Sequence, residues 1–137
     1  DQYVDNIIDQ IKDKKIDTIL GLARGGMIPA TILAYRLGNS NLQQLGVRTR
    51  DVEATQFYGN PVLFGNVLVV DDINDSGETF HQIMDDIKRR YQHGEAELKQ
   101  NIKTATLWSR SVSNFHVDFT IRKIDTDEWI IFPWEKG

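Results

Sequence analysis

Apolar residues along this chain follow two rhythms. Val4, Ile7, Ile8 and Ile11 recur at helical spacing, which predicts an amphipathic helix over residues 2–14. The run DTILGLA (17–23) is short and continuously apolar, as a buried strand is. The sequence RGG then turns the chain. MIPATILAYRL (27–37) reads as a helix, with Pro29 tolerated in its first turn and Gly38 as its stop. Residues 42–49 predict a further strand. Residues 51–65 are polar in their first half and contain Gly59 and Pro61, so they predict a long loop of the kind that carries function.

The clearest strand is NVLVV (66–70), apolar on both faces. A helix over 77–91 follows, with Phe80, Ile83, Met84 and Ile87 on one side. Residues 92–101 are polar and read as helix end or loop. IKTATLW (102–108) predicts a strand, and HVDFTI (116–121) alternates as an edge strand does. Strands alternating with helices predict an α/β fold: a Rossmann-like parallel sheet with helices on both faces. Ligands of such sheets bind beyond the carboxyl ends of the strands. Both glycine turns, after Ala23 and after Asp72, fall on that edge.

Composition narrows the class without naming a chemistry. One domain is expected of 137 residues. The net charge is −4 and no long Lys/Arg run is present, which argues against a protein built to hold nucleic acid. The chain has no cysteine, which excludes disulfides, thiol catalysis and cysteine zinc sites and fits a cytoplasmic location. No apolar stretch approaches the roughly 18–20 residues of a membrane span. The chain opens at Asp1 and not at Met, so sequence ahead of it is expected. His81, His93 and His116 are isolated and read as surface or helix residues, not ligands.

The chemistry lies in VLVVDDINDSGETF (67–80). Gly77 can adopt positive φ and let the backbone curl round an anion. Successive N–H groups, the start of the next helix, and the hydroxyls of Ser76 and Thr79 can donate to phosphate oxygens, with Glu78 turned outward. SGET alone would favour an ordinary helix cap, with Ser76 capping and Thr79 at N3. The carboxylates Asp71 and Asp72 shift the balance, because they can accept from sugar hydroxyls and hold Mg²⁺, directly or through water. An acidic pair followed by a phosphate cradle suits a ribose 5-phosphate. ARGG (23–26) offers a second anion-ready turn, where Arg24 adds a cation. No P-loop Gly-Lys-Ser/Thr and no G-x-G-x-x-G is present.

Residues 67–79 resemble the signature of the type I phosphoribosyltransferases, enzymes that use 5-phosphoribosyl-1-pyrophosphate (PRPP). ARGG resembles their pyrophosphate loop, and the tail DEWIIFPWE is similar to the base-binding hood of the xanthine-guanine branch. The resemblance implies a core over about 15–121 and a small C-terminal hood over about 122–137. It implies that Asp71 and Asp72 hold the ribose, with Asp72 toward Mg²⁺. Asp75, Ser76, Gly77, Glu78 and Thr79 would cradle the 5-phosphate, and Ala23, Arg24 and Gly25 would face pyrophosphate, the Ala23–Arg24 bond being the candidate for a cis peptide. Trp129 would stack on a purine whose edge the backbone at Trp129 and Ile130 reads. Asp75 is the residue that marks the 6-oxopurine branch, placed to take the proton from purine N7.

Two departures bear on the base. Arg110 stands where the branch has a lysine that reads the 6-oxo group, and Arg is a planar fork rather than a point charge. The loop 51–65 offers Thr55, Gln56 and Tyr58 in place of a Ser-Tyr pair; it is expected to close over the site, with Arg48 or Arg50 assisting. The expected activity is 5-phosphoribosyl transfer to guanine, xanthine or hypoxanthine, with PRPP and a purine base as partners and a dimer or tetramer as the assembly. The alternatives are a non-catalytic PRPP-sensing regulator, a phosphoribosyltransferase for another base or a hydrolytic relative, and a phosphoryl-transfer enzyme.

Overall fold

The structure is a computed structural model that describes residues 2–11, 14–49, 55–74, 76–90, 102–110 and 113–124. Three helices, α1 (Gln2–Ile11), α2 (Met27–Arg36) and α3 (Glu78–Arg90), surround six strands. The strands are β1 (Thr18–Ala23), β2 (Leu42–Thr49), β3 (Thr55–Tyr58), β4 (Val67–Asn74), β5 (Ile102–Arg110) and β6 (Phe119–Ile124). Their order in the sheet is β3-β2-β1-β4-β5-β6. All neighbours are parallel except β2 and β3.

Alternation along the central strands builds two cores. Leu68 and Val70 of β4 face one side of the sheet, where Ile7 and Ile11 of α1 and Leu33 of α2 cover them. Val67 and Val69 face the other side, against Phe80, Ile83 and Ile87 of α3. Each of these fully buried side chains contributes about 1.5–3 kcal/mol by leaving water. The crossover through α2 leads from β1 toward β2, and the one through α3 leads from β4 toward β5. The strand order therefore reverses between β1 and β4, and a crevice opens at their carboxyl ends.

Several boundaries move relative to the sequence reading. The first helix ends at Ile11 rather than at residue 14, where Lys14 N donates to Ile11 O. The helix over 27–37 closes as expected: Gly38 has φ +66°, and Asn39 N donates to Ala34 O at 2.8 Å. The expected strand 66–70 continues through Asp71 and Asp72 to Asn74, so the acidic pair is part of the strand and not of the loop after it. Pairing with β5 carries it on: the ladder continues through Asp71↔Thr106 to Asn74↔Ser109. The expected edge strand begins at Phe119, not at residue 116, and it takes in 122–124, assigned above to the hood.

The largest correction concerns the long loop. Residues 55–58 form β3, antiparallel to β2, with the exposed Arg48 guanidinium 4.8 Å from the centre of the Tyr58 ring. Strand pairing overrode the polar composition there. Residues 50–54, with Arg50, lie outside the described residues, as do 92–101, Asp75 and the tail 125–137 with Trp129 and Ile130. No helix among the described residues is long and apolar enough to cross a membrane.

Candidate active site

Three chain segments meet at the carboxyl edge between β1, β4 and β5. The first is the turn after β1. The Ala23–Arg24 peptide is cis, as the sequence reading had it. Gly26 caps α2 with no side-chain bond, and the backbone closes the first turn: Met27 N donates to Arg24 O and Ala30 N to Gly26 O, each at 3.0 Å, while Pro29 has no N–H to satisfy. Arg24 is exposed.

The second segment is the acidic pair. A Cβ added to Gly25 would run into the Asp72 carboxylate, so the β1 turn lies directly on that side chain. The missing Cβ is what lets the two approach. Asp72 N donates to Asp71 Oδ1 at 2.9 Å. Burial pushes the Asp71 carboxyl well above the ordinary carboxylate range, and the neighbouring Asp72 charge adds to the shift. Among the described residues no three acidic or histidine side chains cluster into a metal cage. The pair therefore fits Mg²⁺, which takes one or two carboxylates and completes its shell with water and phosphate oxygens.

The third segment is the turn into α3. Gly77 is buried at φ +94°, as a turn that curls its backbone inward requires. Glu78 N donates to Ser76 Oγ at 3.2 Å, a local turn and not the ordinary helix cap, because Gly77, whose carbonyl accepts from His81 N at 3.0 Å, holds the cap position at a non-helical φ. Glu78 itself is exposed and accepts from Gln82 Nε2 at 3.2 Å, turned along the helix and away from the turn. Thr79 is half-buried.

Arg110 closes β5 and is 7% exposed. It lines a cavity of about 300 Å³ with Ser109, Ser113, Phe115, His116 and Thr120. The chain beyond β5 returns against the phosphate turn. Asn114 N donates to Ser76 O at 3.1 Å, and Phe115 stacks on Phe80 with centroids 5.1 Å apart. The sequence reading assigned Arg110 and overlooked Asn74, Ser109 and residues 113–116. No periodicity marks a loop that only the β5–β6 connection folds back. Asn74 follows Asp71, Asp72 and Ile73, so its polarity does not stand out in the sequence.

The sheet, parallel except for β3, carries the acidic pair and two glycine turns at its switch point. The chain belongs to the phosphoribosyl transferase domain family, whose model matches residues 1–137. It is an enzyme of that transferase class. It is 26% identical over 125 residues to a xanthine-guanine phosphoribosyltransferase of Cereibacter sphaeroides, covering 85% of this chain and 68% of the relative. A purine phosphoribosyltransferase from Pyrococcus horikoshii Ot3 superposes with a TM-score of 0.79 at 28% identity, over 99% of this chain and 88% of that one. The fold is also that of a Helicobacter pylori xanthine-guanine-hypoxanthine phosphoribosyltransferase, with a TM-score of 0.82 at 18% identity, over 98% and 87% of the two chains.

Proposed function

We propose that this protein transfers the 5-phosphoribosyl group of PRPP to a 6-oxopurine, giving a nucleoside monophosphate and pyrophosphate in purine salvage. The observation that carries the reading is the contact of Gly25 with Asp72. It brings the β1 turn, a seat for pyrophosphate, against the carboxylates that would hold the ribose. The turn at Ser76 and Gly77 follows the acidic pair at the end of the same strand, where it would take the 5-phosphate.

In this reading the bond from the anomeric carbon to the pyrophosphate oxygen breaks, and purine N9 forms the new bond to that carbon. The oxygen that leaves takes the electron pair, and Arg24 with backbone N–H groups of the turn at Arg24 and Gly25 offsets its charge. Asp71 and Asp72 accept from the ribose 2- and 3-hydroxyls, and Asp72 is the residue to hold Mg²⁺. When bound, Mg²⁺ supplies charge neutralisation for the pyrophosphate. The ring proton on N7 passes to Asp75. Arg110 donates to the 6-oxo oxygen, and a guanidinium that only donates favours an oxo acceptor over the amino donor of adenine. Trp129 stacks on the ring.

The test is pyrophosphate release from PRPP and Mg²⁺ with guanine, xanthine, hypoxanthine and adenine. The three oxopurines should be used and adenine poorly. Asp75→Asn should lower turnover by on the order of 10²–10⁴ with PRPP affinity little changed. Adenine as the best substrate rejects the base assignment. PRPP binding without release for any base would reassign the protein as a PRPP sensor.

A further inference from the structure

Asn74 is the last residue of β4 and is 2% exposed. A buried amide must use its donors and acceptor, and this one does. Its Nδ2 donates to Ser109 Oγ at 3.0 Å and to Phe115 O at 2.8 Å. Its Oδ1 accepts from Ser113 Oγ at 3.0 Å. Three bonds from one side chain thus reach the end of β5 and both ends of the segment 113–115. Asn74 and Ser109 are also register partners, the last pair of the β4–β5 ladder.

What that segment touches gives the clasp its meaning. Opposite Gly77, a Cβ would meet Asn114 Oδ1, Phe115 N at 2.7 Å and Ser113 Oγ at 2.8 Å, so the segment forms the wall against which the phosphate turn curls. Asn114 N holds the Ser76 carbonyl, and His81 Nε2 meets Asn114 O at 3.1 Å. On its other side the segment lines the cavity beside Arg110.

We propose that Asn74 is a positioning residue: it fastens residues 113–115 across the end of β4, and through them sets the shape of the turn at Gly77 and of the wall facing Arg110. The inference rests on the reading of that turn as a phosphate cradle. Asn74 touches neither ligand itself; it determines whether the groups that do are already in place before binding.

The experiment compares wild type with Asn74→Leu, which keeps the branching at Cγ and removes all three bonds. Ser113→Ala removes the bond to Asn74 Oδ1 and with it the bonds of Ser113 Oγ to Phe115 N and Phe115 O, and Ser113→Thr restores the hydroxyl. Three quantities are read: ribose 5-phosphate affinity by calorimetry without a base, KM and kcat for PRPP and guanine, and the thermal midpoint. The expected result is a weakening of ribose 5-phosphate binding by roughly three- to tenfold in each of Ser113→Ala and Asn74→Leu. The guanine KM should rise with it, kcat should change less, and Ser113→Thr should recover. A merely structural role would lower the midpoint and the active fraction but leave the dissociation constant and both KM values unchanged, and that result overturns the proposal. Wild type that binds no ribose 5-phosphate also overturns it. If no purine is a substrate yet Asn74→Leu still loses ribose 5-phosphate affinity, the base assignment fails and the positioning role stands.

Discussion

Replacing Gly77 by alanine puts one methyl group where the structure has no room for it. Two costs combine. The residue sits at φ +94°, a conformation that an L side chain opposes by roughly 1–2 kcal/mol. The new Cβ would also lie 2.7 Å from Phe115 N and 2.8 Å from Ser113 Oγ, besides its collision with Asn114 Oδ1. The backbone nitrogen belongs to a segment pinned by Asn74 and by the Phe115–Phe80 stack, so it yields at the cost of an overpacked core, about 1–3 kcal/mol. Together the two amount to roughly 2–5 kcal/mol, or about 5–20 °C of midpoint for a domain of this size. The assay is thermal unfolding of Gly77→Ala, followed by calorimetry with PRPP well below the midpoint, where the variant is folded. Affinity should fall at least tenfold, because the turn no longer curls inward. A midpoint within about 2 °C of wild type together with unchanged affinity would refute both the packing argument and the cradle.

Gly25→Ala should leave the fold nearly as stable but displace the Asp72 carboxylate, since the added Cβ runs into it; PRPP turnover should fall by on the order of 10–10² while the midpoint moves little, and equal turnover would show that the contact does not matter. Asp71→Asn should stabilise the free protein as pH rises. The folded-state pKa of Asp71 is raised by burial and by Asp72, so its contribution to stability is complete below the ordinary carboxylate range and is lost as pH climbs through the raised value. Asparagine keeps the acceptor for Asp72 N and removes that loss; its advantage, about 0.5–2 kcal/mol at the alkaline end, should vanish near pH 4. Unfolding midpoints measured without Mg²⁺ from pH 4 to 9 check this, and parallel curves for the two proteins would count against it.

Much of the site was legible in the sequence because its chemistry is local. Gly77, Ser76 and the acidic pair fall within a few residues of one another, and one strand followed by one turn brings them together without help from distant chain. The two core faces of β4 were legible for the same reason, since alternation is a property of consecutive residues. Tertiary structure decided whatever depended on a partner strand. Asp71 and Asp72 belong to β4 because β5 pairs alongside them, and a run of carboxylates carries no such preference by itself. Residues 55–58 became a strand because β2 offered them an edge. Asn74 gave no sign of its place until Ser109, Ser113 and Phe115, more than thirty positions away, supplied its three partners. A polar side chain announces that it needs hydrogen bonds; only the folded chain says from where.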